Sequence, residues 1–264
     1  MAPRRIIVHP GFHKTGTTTV QTYLRENGKH IWPRSALVLP GRTRGGAARM
    51  AVRYSRFGTA DLLTGFRDEL HRTLSALDVG TSRKVLISDE NLLGRMPGRD
   101  GQQGYGAAPA LMAAAEDVIH MVFGNDAEVN FHLSTRGPES WLRSTFRHNL
   151  FHSRVVLDFD DYRALFGAAS DLKSVAQDIA GAVKGRVQIR DIDGLDGPEG
   201  LAAPLIDLLN LPRHLRGRLT LKDHMNAGPP EALVDELLAI NRSAISDRAA
   251  QTAKANLLEE DKTP

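Results

Sequence analysis

The chain has no cysteine, which removes disulfide stapling, thiol nucleophiles and every Cys-ligated zinc or iron–sulfur centre. Aromatic residues are scarce at 6%; a nucleic-acid surface would set them within a stripe of lysines and arginines, and no such stripe occurs. An excess of one charge is missing too. Lys+Arg at 34 against Asp+Glu at 31 leaves a formal +3, so the scattered arginines suit a small anionic ligand better than a polyanion. No apolar run approaches the ~18 residues of a membrane span, and Ile6-Ile7-Val8 behind Arg4 and Arg5 is too short for a signal-peptide core. These absences predict a globular protein of the cytoplasm with neither a membrane span nor a nucleic-acid partner. They leave the oligomeric state open.

What is present predicts an α/β fold. The 264 residues, 41% of them hydrophobic, are enough for one domain with a real core and too few for two independent enzymes. Short apolar runs at 6–8, 85–87, 129–133 and 187–189 alternate with stretches of helical spacing at 17–27, 60–77, 110–123, 138–151, 160–166, 171–183, 200–209 and 231–245. That alternation is the pattern of a central parallel sheet flanked by helices, here taken as a single domain over 1–258 with a charged, frayed tail at 259–264. Two segments read as long loops that shape a substrate pocket. One is 40–58, with Gly41, Gly45, Gly46 and several arginines; the other is 94–109, with five glycines.

The strongest local signal is Gly11-Phe12-His13-Lys14-Thr15-Gly16-Thr17-Thr18-Thr19, between a strand and an amphipathic helix that sets Val20, Tyr23 and Leu24 on one face. A glycine-bearing strand-to-helix turn gathers backbone N–H groups and the positive helix end at one point, which suits a phosphate or sulfate. An ordinary glycine turn is the plain alternative. A nucleotide-hydrolysing loop of form GxxxxGK[ST] is the sharper rival, because Gly11 and Gly16 have its spacing and the run from Lys84 to Glu90 imitates a strand ending in two acids. The lysine speaks against it. Thr17 stands where such a hydrolase has lysine, and Lys14 lies two residues before Gly16.

In this respect the loop resembles the 5′-phosphosulfate loop, K-[ST]-G-T-[TS], of sulfotransferases that use 3′-phosphoadenosine 5′-phosphosulfate. A second motif of that family, an arginine ending a strand and a serine eight residues on, is matched by Arg136 and Ser144; read alone, they would be a solvated strand-end arginine and a neutral helix residue. His13 stands where cytosolic members often have proline, which is closer to the heparan-type and bacterial branches. The family's distal R-K-G segment has no clear counterpart, and the run at 221–226 is the nearest stand-in. The likeness covers roughly the first 150 residues.

The resemblance implies a P-loop-like sulfotransferase fold and metal-independent, in-line transfer of a sulfuryl group to a hydroxyl or amine, releasing adenosine 3′,5′-bisphosphate. It implies that Lys14 compensates charge on the leaving oxygen, and that His13, Lys14, Thr15, Gly16, Thr17, Thr18 and Thr19 hold the 5′ end of the donor. Arg136 and Ser144 would then take the 3′-phosphate. The acceptor, a small molecule or carbohydrate, is not named by any residue. For the base, Glu90 follows a strand at the end where open α/β sheets bind ligands, although Asp89 or Glu90 can equally cap the next turn. His13 competes, its ordinary pKa of about 6.5 fitting proton removal at neutral pH. His148 and His152, spaced i,i+4, are either a metal pair lacking a third ligand or plain surface histidines. The rival functions are a small-molecule kinase or ATPase and a non-catalytic adenosine-nucleotide binder.

Overall fold

The computed structural model describes residues 3–80, 83–195, 199–220 and 229–261. Among them, five strands form one all-parallel sheet in the order β2-β3-β1-β4-β5: β1 (Arg5–His9), β2 (Ser35–Val38), β3 (Lys84–Ser88), β4 (Glu128–Thr135) and β5 (Arg186–Asp191). The expected fold class, an α/β sheet flanked by helices with a phosphate-type loop after its first strand, is the one the chain adopts. The alternation of a pleated strand sorts its side chains between two cores. Ile6, Val8, Val85, Ile87, Phe131 and Leu133 enter the larger core, beneath the helices Ala108–Phe123 and Pro138–His152. Ile7, Leu37 and Leu86 enter the smaller one, beneath the helix Thr17–Glu26.

This division fixes where a ligand can sit. The helix after β1 packs on one face and the helix after β4 on the other, so the carboxyl ends of these neighbouring strands open a crevice at the point where the chain reverses its direction of winding. Register sharpens the placement. His9 pairs with Ser88, so β1 and β3 end level, whereas β4 pairs Phe131 with Val8 and runs on to Thr135. The overhang lifts Arg136 beside the loop after β1.

Several expectations need correction. The stretch 40–58 is no loop: it holds the helices Pro40–Thr43 and Ala47–Phe57, the second packed on the core through Ala47, Ala48 and Ala51. The stretch 94–109 is irregular only up to the start of the helix Ala108–Phe123. Strand β2 has no counterpart among the expected elements, and the helix Asp247–Glu260 takes in Glu259 and Glu260 of the expected tail. That helix holds because Lys254, buried within it, donates to Leu150 O, Ser153 O and Asn241 Oδ1, capping the end of the helix Pro138–His152. The run at 221–226 and the last three residues lie outside the described residues. No described helix is long and apolar enough to cross a membrane.

Candidate functional site

The loop after β1 takes its shape from three residues with positive φ: Gly11 at 61°, Lys14 at 66° and Gly16 at 81°. For a lysine this left-handed conformation is unusual and costs free energy, so something must hold it. Three contacts do so. Arg136 donates from Nη1 to Lys14 O at 3.4 Å, Trp141 donates from Nε1 to His13 O at 2.8 Å, and Thr15 donates from both N (3.3 Å) and Oγ1 (2.7 Å) to Phe12 O. Gly11 has no alternative, because a Cβ there would lie 2.5 Å from Thr17 Oγ1. Beneath the loop, His9 joins Ser88 Oγ (2.9 Å) and Ser134 Oγ (3.4 Å) in a buried polar floor, and burial pushes its pKa down to about 3.

Above this floor opens a cavity of about 700 Å³, a size suited to a small-molecule ligand. His13, Lys14, Gly16, Thr17, Thr18, Thr19, Glu90, Arg136 and Ser144 all line it. Thr15 does not. Its side chain is buried and bonded to Phe12 O, and its N–H is spent on the same carbonyl, so its part is to close the loop. Thr17 Oγ1 also turns inward, 3.4 Å from Phe12 O, whereas Thr18 is exposed. Burial, then Arg136 and Arg147, hold the Lys14 pKa below the ordinary lysine value. Arg136 is steered by its Nε donation to Ser140 Oγ at 3.1 Å.

The two acids after β3 have separated environments. Asp89 is fully buried and caps the 3₁₀ turn Glu90–Leu93, accepting from Asn91 N (2.9 Å), Asn91 Nδ2 (3.0 Å) and Thr43 Oγ1 (2.5 Å). Its pKa is raised, first by burial. Glu90 faces the cavity; Gln21 Nε2 donates to its Oε2 at 2.9 Å, and no bond to Oε1 is recorded among the described residues.

His13 departs from its expected character. Burial pushes its pKa down to about 4, against smaller opposing effects of Asn91 and Asp89. Tyr105 Oη accepts the His13 backbone N–H at 3.2 Å and lies 3.1 Å from Nδ1. Burial keeps the phenol protonated, and the ring also shares a side-chain hydrogen bond with Asn91. An imidazole held neutral by burial in this way does not titrate near pH 6–7.

No family model matches the chain, and no curated protein does. Among solved structures it is similar to a sulfotransferase from Alicyclobacillus acidocaldarius, at 14% identity over 98% of this chain and 96% of that one, with a TM-score of 0.47. It is also similar to a shikimate kinase from Bacteroides thetaiotaomicron, at 15% identity over 79% of this chain and 99% of that one, with a TM-score of 0.38. Likenesses this remote carry no functional argument, and the site has to speak for itself.

Four further titratable residues of the cavity lining lie outside the motifs: Arg95, Arg99, Arg147 and His148. A face-by-face reading of the helix Pro138–His152 would have found the last two, since Ser144, Arg147 and His148 are spaced i, i+3, i+4. His148 is therefore a wall of the cavity and not a surface histidine. Its ring lies 4.3 Å from that of His152, and burial, then Lys14, pushes its pKa down to about 3. Among the described residues, no three His, Cys, Asp or Glu side chains gather as a metal site. Of the stretch 40–58, only Val52 lines the cavity.

Proposed function

We propose that the protein is a sulfotransferase that takes its sulfuryl group from 3′-phosphoadenosine 5′-phosphosulfate. The observation that carries the reading is the loop's own stereochemistry. Lys14 occupies a left-handed position before Gly16 and lines the cavity, while Thr17, in the place of a hydrolase lysine, is buried with its hydroxyl bonded inside the loop. A phosphate-transferring loop of the form GxxxxGK[ST] needs an ammonium after the second glycine, where this chain has a buried threonine. Asp89 adds support, since the acid that would hold a magnesium water is engaged with Thr43 and Asn91.

In this reading the loop N–H groups of Gly16 to Thr19 and the Thr18 hydroxyl hold the 5′-phosphate, and Arg136 with Ser144 takes the 3′-phosphate. Ile192 and Leu201 offer apolar wall for the adenine. The acceptor hydroxyl or amine attacks sulfur in line as the sulfur–oxygen bond to the phosphate breaks. Its proton passes to Glu90, and Lys14 offsets the charge left on the phosphate oxygen. His13, kept neutral by burial, lies beside them and is not the base.

The test is a screen of hydroxyl and amine acceptors with sulfur-labelled donor, following release of adenosine 3′,5′-bisphosphate with and without a chelator. Labelled product formed equally under both conditions is expected. Transfer that required magnesium and ATP would make the protein a kinase. Binding of the bisphosphate with no turnover on any acceptor would make it a nucleotide binder.

A further inference from the structure

The cavity has more cation than the donor motifs account for. Arg99 and Arg147 line it, each has a buried Nε–H with no acceptor, and neither has an ion-pair partner among the described residues. Arg95 shares the unbonded Nε–H and differs in being paired with Asp100. An unbonded buried guanidinium N–H is costly, and one that lines a cavity can be satisfied by a ligand there.

Position sets the two arginines apart from the proposed 3′-phosphate site. Along the helix Pro138–His152, Ser140 holds Arg136 near the start, and from Ser144 the wall advances to Arg147 and His148 by about 6 Å. Arg99, from the turn after β3's 3₁₀ segment, lines the cavity near the same stretch. Its charge is felt by His148, His152 and His13, and Arg147 acts on Lys14. The turn carrying Arg99 is rigidly built. Gly98, Asp100 and Gly101 have positive φ, Gly98 N donates to Gln102 O at 2.9 Å, and Asn149 Nδ2 donates to Pro97 O at 3.1 Å and to Tyr162 Oη at 2.9 Å. A Cβ on Gly98 would lie 2.6 Å from Asn149 Nδ2.

We propose that Arg99 and Arg147 form an anion subsite for the acceptor, so that the molecule receiving the sulfuryl group already bears a sulfate, phosphate or carboxylate group. The assignment rests on the proposed donor reading, and Lys14 and Glu90 line the same cavity as the two arginines. A guanidinium fork binds such groups through paired charge-assisted hydrogen bonds. Fixing the acceptor by its anion, away from the reacting hydroxyl, orients attack without spending contacts at the reaction centre.

Sulfate ion, titrated calorimetrically into the protein saturated with adenosine 3′,5′-bisphosphate, is the probe. Wild type should take up sulfate; Arg99→Ala and Arg147→Ala should each weaken that uptake about tenfold or more, Arg99→Lys less, and the bisphosphate affinity should stay within about twofold. Lys14→Ala is the control, because loss of sulfate there with retention in Arg99→Ala would put the ion in the vacated sulfuryl position and overturn the proposal. Loss of bisphosphate affinity in Arg99→Ala would overturn it as well, assigning that arginine to the donor. Acetate in parallel separates the two sources: parity with sulfate marks a carboxylate, and preference for sulfate marks an ester. If the bisphosphate fails to bind the wild type, the donor reading falls, while the same sulfate titration on the free protein and its Arg99 and Lys14 variants still decides where the anion sits.

Discussion

On one wall of the cavity the loop after β1 bonds its polar groups to itself: Thr15 and Thr17 donate to Phe12 O, and Arg136 and Trp141 close over the carbonyls of Lys14 and His13. On another part of the same lining, Arg99 and Arg147 hold buried N–H groups that no described residue accepts. The first wall has already met the cost of its strained backbone and presents one fixed shape. The second leaves about 1–3 kcal/mol per unmet donor for a ligand to recover. A pre-shaped wall suits an invariant partner such as a nucleotide phosphate, and an unsatisfied one suits whatever the acceptor brings.

The sharpest way to break this contrast is at Glu90 and Lys14, which line the same cavity. Glu90→Gln is nearly isosteric and can keep the bond from Gln21, so bisphosphate affinity and melting temperature should hold while kcat falls by about 10²–10⁴-fold, the usual worth of a general base. Persistent activity would return Glu90 to a turn-forming role. Lys14→Ala should cost roughly 10²–10³-fold in turnover with a smaller loss in nucleotide binding; equal losses in both would make Lys14 an anchor of the loop only.

A smaller effect tests the pre-shaped wall. Arg136→Ala should weaken adenosine 3′,5′-bisphosphate about 10–100-fold more than adenosine 5′-monophosphate, since one charge-assisted contact is lost, with Ser144→Ala a fainter copy. Because Arg136 also holds Lys14 O, equal weakening of both ligands would mean that its work is to support the loop.

The mildest test is pH. In the unfolded chain a histidine takes its proton near pH 6.5, but the folded protein refuses it until about 3 at His9 and about 4 at His13 and His132. Each therefore contributes stability that is fully present above pH 6.5 and is lost as the pH falls through this window, by about 1.4 kcal/mol per pH unit. Scanning calorimetry from pH 7 to pH 4 should show a falling melting temperature, with a shallower fall in His9→Asn. The kcat profile should show no ionisation from His13 at pH 6–7; one that disappeared in His13→Ala would restore the imidazole as base.

What the sequence disclosed depended on how local the cause was. Strand, glycine, lysine and helix follow one another within twenty residues, so the loop and its displaced Lys14 were legible. Arg136 and Ser144 stood out only through the likeness to the sulfotransferase motif, because read alone they are a strand-end arginine and a neutral helix residue. Strand β2 was not, because its four residues, all buried, are too few to show a period. The helix Ala47–Phe57 was hidden because its buried face is alanine and its surface is arginine. The low basicity of His13 comes from its burial, and the placement of Arg99 from Asn149 and the turn at 97–102, features of the folded chain that no spacing rule encodes.

The central claim is that the displaced lysine makes this loop a phosphosulfate site, and calorimetry with two nucleotides tests it directly. Adenosine 3′,5′-bisphosphate should bind at least about tenfold more tightly than ATP with magnesium, given the extra contact of its 3′-phosphate with Arg136. Tighter binding of ATP with magnesium would contradict the account.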